Sequence, residues 1–160
     1  MQPPAELLRY LLDTVPSELA GLAEATAALK PAPEKWSPKE ELGHLLDSAA
    51  NNHQRIVRTL LEEQPAMSGY EQQRWVLVHR YQQRDWRELI DLWAALNRQL
   101  LIAVTAVTDS GWTRTCTIAG SEPMSLRFVL EDYLAHMSHH LAHIKSASHA
   151  ARGEKPLTTD

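Results

Sequence analysis

Cysteine occurs once, at Cys116, so no intrachain disulfide can form. A reducing cytoplasm is the compartment expected for such a chain. No run of 18 apolar residues is present, which argues against a membrane-spanning helix. Acidic Glu6 and Asp13 interrupt the first apolar stretch and no basic start precedes it, so a secretory signal is not expected. An excess of positive charge is also missing. Lys and Arg number 16 against 20 Asp and Glu, for a net charge of -4. Phosphate backbones favour a basic face, so neither nucleic acid nor membrane is an expected partner. Repeats, low-complexity tracts and a series of strands are absent as well. What remains is 160 residues, 44% of them hydrophobic. That suits one core, with roughly 70% of the unfolded surface buried on folding.

Helical spacing dominates the chain. Leu7, Leu8, Leu11, Leu12, Val15, Leu19, Leu22 and Leu29 predict a helix over residues 4–29, with Pro16 as the point of a kink or split. Residues 30–38 form a proline-rich connector. Ser37, Pro38 and Glu40 make a capping box with proline at the first helical position, and Trp36 stands ready to staple the entrance. The helix that follows is expected to reach about residue 63, burying Leu42, Leu45, Leu46, Ala49, Ile56 and Leu60. After a turn at residues 64–69, a short helix over 70–81 and a long one over 86–107 are expected, the latter capped by Asp85 with Glu88 three residues on. Residues 108–125 lack helical period and predict an irregular loop with a small hairpin at 113–118. A last helix is expected over 126–148. The five tryptophans default to core or interface packing, with Trp112 placed to edge a pocket, and Cys116 reads as a buried thiol. The expected fold is all-α: a helical bundle of four main helices plus an extra short one. Residues 1–150 would form the domain and residues 151–160 a flexible tail.

Eight histidines are unevenly spread. His136 and His140 are four apart in the last helix and share one face, so their rings can converge on one ion. His44 sits on an otherwise apolar face near the start of the second main helix, where a buried imidazole needs a partner. A metal shared by His44, His136 and His140 would supply one. Three imidazoles leave a coordination position for water, as a nucleophile, or for a substrate thiolate. Zinc is the expected ion; nickel, iron or copper suit the same donors. Met137 follows His136, so the His-Glu-x-x-His motif of zincin proteases is absent. His139 and His143 form a neighbouring stripe. Asp132, one turn before His136, either orients a liganding imidazole or faces solvent at the helix start. Asp47 and Asn51 return toward the face of His44. His53, His79 and His149 carry no spacing signal.

Two segments resemble a known family. Trp36-Ser37-Pro38-Lys39-Glu40-Glu41-Leu42-Gly43-His44-Leu45-Leu46-Asp47-Ser48 and Asp132-Tyr133-Leu134-Ala135-His136-Met137-Ser138-His139-His140-Leu141-Ala142-His143-Ile144 are similar to the second and last helices of the DinB-like, YfiT-like superfamily of metal-dependent proteins. Residues 86–101 are similar to its long third helix, and the likeness extends over residues 5–148. The resemblance implies a four-helix bundle of up-down-down-up type, often dimeric, with His44, His136 and His140 as metal ligands. It also implies small-molecule chemistry, since relatives include thiol transferases, mycothiol-dependent isomerases and hydrolases. Three expectations follow from the residues and the resemblance together. The first is a divalent-metal-dependent enzyme transferring a low-molecular-weight thiol to a small electrophile, with Asp132, His139 or His143 assisting proton movement. The second is hydrolysis of a small amide or ester. The third is a non-catalytic helical module holding the ion.

Overall fold

The long helices begin where their caps dictate. The Ser37 hydroxyl accepts the Glu40 amide at 3.2 Å, and the Ser37 amide donates to the Glu40 carboxylate at 2.9 Å. With Pro38 at the first position, the helix Pro38–Leu61 starts there. Asp85 accepts the Glu88 amide at 2.9 Å and opens Trp86–Thr105. The Glu88 side chain pairs with Arg84 rather than closing a second box.

The computed structural model describes residues 4–151. In chain order these form α1 (Pro4–Ala20), α2 (Glu24–Ala27), α3 (Pro38–Leu61), β1 (Ala66–Met67), α4 (Gln72–His79), α5 (Trp86–Thr105), β2 (Thr115–Ile118), β3 (Met124–Ser125) and α6 (Leu126–Ala151), with single 3-10 turns at Tyr81–Gln83 and Gly111–Thr113. The expected tail lies, apart from Ala151, outside the described residues.

Helix directions can be read from contacts between ends. The Trp86 indole at the start of α5 donates to the Leu19 carbonyl at the end of α1 at 2.9 Å, so these two run antiparallel. Starts meet starts for α3 and α5: the Lys39 ammonium donates to the Arg84 carbonyl at 2.6 Å. Hence α3 and α5 are parallel. His44 meets His136, and Glu41, three residues earlier in α3, meets His140, four residues later in α6, so α6 runs antiparallel to α3. Around the core the order is α1, α5, α3, α6, with α6 closing on α1. Only an up-down-down-up bundle satisfies these pairings, and it requires a long connection between α3 and α5. That connection carries β1, α4 and the 3-10 turn. Trp93, Leu45, Leu89, Leu100, Leu126 and Leu130 are fully buried at the centre.

Several boundaries differ from the sequence reading. The first helix does not split at Pro16, which lies inside α1; it ends at Ala20. The chain there tightens into i+3 bonds, Gly21 to Glu18 and Leu22 to Leu19, which turn Leu22 into the core. The turn at 64–69 contributes a strand. Ala66 and Met67 pair parallel with Thr117 and Ile118, while Thr115 and Cys116 pair antiparallel with Ser125 and Met124. The expected hairpin at 113–118 is therefore one strand of a three-stranded patch, too short and too distant in sequence for periodicity to reveal. Trp75 is partly exposed, stacked near Tyr70 and His79, rather than in the core. Trp112, expected to edge a pocket, carries the Arg127 guanidinium over its ring at 5.3 Å. Cys116 is buried, as expected. No helix among the described residues is long and apolar enough to cross a membrane.

Gly43 has a packing reason. A Cβ built there would lie 2.1 Å from ring atoms of Tyr81. Alanine normally favours a helix over glycine by about 1 kcal/mol. Here Gly43→Ala is expected to reverse that sign and destabilise by about 1–3 kcal/mol through overpacking, measured by urea denaturation.

Candidate metal centre

α3 and α6 are antiparallel neighbours, and each presents histidines to the seam between them. Residues four apart stack along one helix face, so His136 and His140 present adjacent rings, with centroids 4.5 Å apart. His44, fully buried on α3, meets both: its ring centroid lies 4.9 Å from His136 and 4.5 Å from His140. The Nε2 atoms of His44 and His136 are 3.0 Å apart. Nitrogen donors from all three side chains fall within 4.8 Å of one another.

The third imidazole is oriented by a carboxylate. His140 Nδ1 donates to Glu41 Oε2 at 2.6 Å, which leaves Nε2 of His140 with its lone pair free. The other Glu41 oxygen lies 3.4 Å from His143 Nδ1. Glu41 sits in the first turn of α3, where the helix dipole favours a negative charge, and three residues before His44. Trp36 closes one side, its ring 5.0 Å from His44.

The donor set fits a divalent ion. Nitrogens at 2.0–2.1 Å from a tetrahedral zinc lie roughly 3.3 Å apart, a few tenths of an ångström more than the His44–His136 separation. Nδ1 of His44 and Nδ1 of His136 are buried and have no hydrogen-bond partner among the described residues. The Nε2 atoms of the two rings face each other instead, and a cation between them would take both lone pairs, with each ring's proton left on its buried Nδ1. Burial first, and then the neighbouring His140 and His136, push the His44 imidazole down to about 3. Burial and His140 also hold His136 below the ordinary range, partly opposed by Asp132. Both are therefore neutral, with lone pairs available, at pH 7.

The other expected residues fall in different places. Asp132 is exposed and, with His136, lines a small pocket of about 200 Å3; the carboxylate on a candidate ligand is Glu41's instead. Glu40 had a visible role in the cap, so the adjacent Glu41 passed without one; its signal was the three-residue step to His44. His139 and His143 are exposed and meet edge to face, with ring centroids 4.2 Å apart. His143 joins Glu41 and His140 in a second possible ion-holding group, and lies on the Trp36 side of the site, away from the Asp132 pocket. Asn51 turns back to its own helix, donating to the Asp47 carbonyl at 2.8 Å.

Asp47 supports α3 rather than an imidazole of the cluster. It is 2% exposed. Its Oδ1 accepts the Tyr81 hydroxyl at 2.7 Å and lies 2.9 Å from His79 Nδ1, while Oδ2 has no partner among the described residues. Burial raises the Asp47 carboxyl above its ordinary value, only partly offset by Tyr81 and His79. A raised folded-state value means that stability present below the unfolded value is lost as pH rises through the folded one. Asp47→Asn keeps an acceptor for Tyr81 and removes the charge. It is expected to raise the denaturation midpoint at pH 7, with the gain shrinking as pH falls toward 4, read by urea titration across pH.

Comparison with known proteins agrees with this arrangement of helices. A Halalkalibacterium halodurans protein named "Putative metal-dependent hydrolase" is 25% identical over 140 residues, covering 85% of this chain and 81% of that one. The Bacillus subtilis protein of the same designation, YfiT, is 27% identical over 143 residues, covering 86% and 80%. Its solved structure, described as having an unusual four-helix bundle topology, superposes with a TM-score of 0.81 at 22% identity over 95% of this chain and 89% of that one. A mycothiol-dependent maleylpyruvate isomerase shares the fold with a TM-score of 0.70 at 11% identity, over 88% of this chain and 59% of that one. The family model of the DinB superfamily matches residues 7–144, which takes in α3 and α5 whole, most of α1 and α6, and every histidine of the cluster, and the chain belongs to that superfamily.

Proposed function

We propose that this protein is a divalent-metal-dependent enzyme that activates a low-molecular-weight thiol for transfer to a small electrophile, with His44, His136 and His140 as ligands and zinc as the ion. One observation carries the reading: imidazoles 92 residues apart in sequence meet nitrogen to nitrogen at 3.0 Å in a buried seam, with a third beside them. A divalent ion held by three neutral imidazoles supplies Lewis acidity, which favours thiolate or hydroxide at neutral pH.

The chain's own residues do the rest. Glu41 keeps the His140 proton on Nδ1 and so keeps Nε2 aimed at the seam. Trp36 covers His44 and keeps water off that side. Asp132 lines the pocket into which His136 opens, and is the group assigned to accept a proton from the entering thiol. His139 and His143 stand outside that pocket, so in this reading they move no proton. Thiol activation suits the site because it needs little further acid–base machinery. The one buried carboxylate at the cluster, Glu41, is engaged by His140 and His143 and is not free to act as a general base.

Hydrolysis of a small amide or ester is the second reading, favoured by the names of the two relatives. The two separate in one assay: turnover of an electrophile only with added thiol supports transfer, and metal-dependent turnover without thiol supports hydrolysis. Elemental analysis is expected to find about one zinc, nickel or iron per chain, lost in both His44→Ala and His140→Ala. A metal-free native protein, or an ion retained by both variants, would remove the centre. Glu41→Gln is expected to weaken metal affinity about 10–100-fold, as supporting partners of liganding histidines generally do. Competition with a chromophoric chelator measures it, and Asp132→Asn should leave the affinity much closer to that of the parent.

A further inference from the structure

The pocket beside His136 has a chemical character of its own. From His44, the stripe Ser48, Asn52, Arg55 continues along α3 at steps of four, four and three residues, one face of the helix. These three side chains line the pocket together with Tyr70, Asp132 and His136. Arg55 lies eleven residues beyond His44, about 16 Å along the axis at 1.5 Å per residue. Helical side chains lean toward the N-terminus, so its guanidinium is carried back toward the histidines.

Arg55 is poorly satisfied where it stands. No carboxylate lies within ion-pair distance of it among the described residues; the other described arginines without one, Arg9, Arg80, Arg87, Arg98 and Arg114, are exposed, whereas Arg55 is half-buried. Among the described residues its only side-chain hydrogen bond is a long one, Nη1 to Asn52 Oδ1 at 3.4 Å. The Tyr70 ring, 5.9 Å from the guanidinium carbon, helps fix its plane. A planar fork of donors held over an aromatic face, with Ser48 and Asn52 alongside, matches a carboxylate in two-point contact. A dianionic phosphate fits less well, because the same small pocket already holds the negative charge of Asp132 and offers one cation.

We propose that Arg55 binds a carboxylate of the substrate, so that the enzyme acts on a small carboxylic acid whose reacting end lies at the histidine cluster. This rests on the reading of the cluster given above, and deepens it by naming the substrate class. The orientation follows: the acid is held at the Arg55 end of the groove and the sulfur or electrophilic centre at the His136 end.

Two measurements test it. In metal-stripped protein, the Arg55 Nε–H resonance is titrated with hexanoate and, as control, hexanamide. A saturable shift with the acid alone is expected; no saturable shift overturns the proposal, whatever the cluster does. In metal-loaded protein, calorimetry compares 6-mercaptohexanoate with 6-mercapto-1-hexanol. The acid is expected to bind about tenfold tighter, the low end of what a hydrogen bond to a charged group contributes. Arg55→Gln should abolish that preference, Arg55→Lys should keep part of it, and neither should change metal content or affinity for the alcohol. Equal affinity of acid and alcohol for the parent protein overturns the proposal while leaving the metal centre standing. Failure of both thiols to bind a metal-loaded protein counts instead against thiol activation, and the resonance titration then decides the role of Arg55.

Discussion

The structure depends on one unusual burial: residues 37–49, the first half of α3, are buried on every side. A helix enclosed in this way is ordinarily apolar all round. This one carries Ser37, Lys39, Glu40, Glu41, His44, Asp47 and Ser48, and a polar group taken out of water must find a partner or cost a few kcal/mol. Most find theirs on another segment. Lys39 reaches Glu24 and the Arg84 carbonyl, Glu40 reaches Lys30, Glu41 reaches His140, His44 reaches His136, and Asp47 reaches Tyr81. The same pairings that satisfy α3 therefore fix α2, the proline-rich connector, the 3-10 turn and α6 around it.

Topology follows from that central position. With α5 parallel and α6 antiparallel to it, α3 cannot be joined to α5 by a tight turn, and the chain between them must travel the length of the bundle. Residues 62–85 do so, and use the return to place Tyr81 against Gly43 and Tyr70 beside Arg55. The long connection is thus both a consequence of parallel packing and the source of one wall of the pocket. Specific chemistry is added to a general scaffold here, which is why a shared bundle says less about the reaction than the side chains on its seam.

Much of this was legible in advance for local reasons. The caps at Ser37 and Asp85 and the proline at the first turn act within four residues, so α3 and α5 start where the sequence reading put them. The pair His136 and His140 was legible for the same reason, since a step of four is one helical turn. His44 stood out as an imidazole on an apolar face, and the family resemblance added its link to the other two. Glu41 was overlooked because its neighbour Glu40 already had a local role. The end of α1 at Ala20 was missed because Leu22 and Leu29 continue the helical period through a turn made by tertiary packing.

Sequence alone determined the helical period, the caps and the one-turn spacing of candidate donors, because these are properties of backbone geometry over a few residues. Tertiary structure decided which carboxylate touches which imidazole, and that Asp132 shares a pocket with His136 while Glu41 lies on the Trp36 and His143 side. It also decided that Asp47 serves Tyr81 and His79, and that Arg55 has no counter-ion among the described residues. Those outcomes turn on the relative placement of helices separated by as much as 99 residues, as between Glu41 and His140, and no local periodicity encodes that placement.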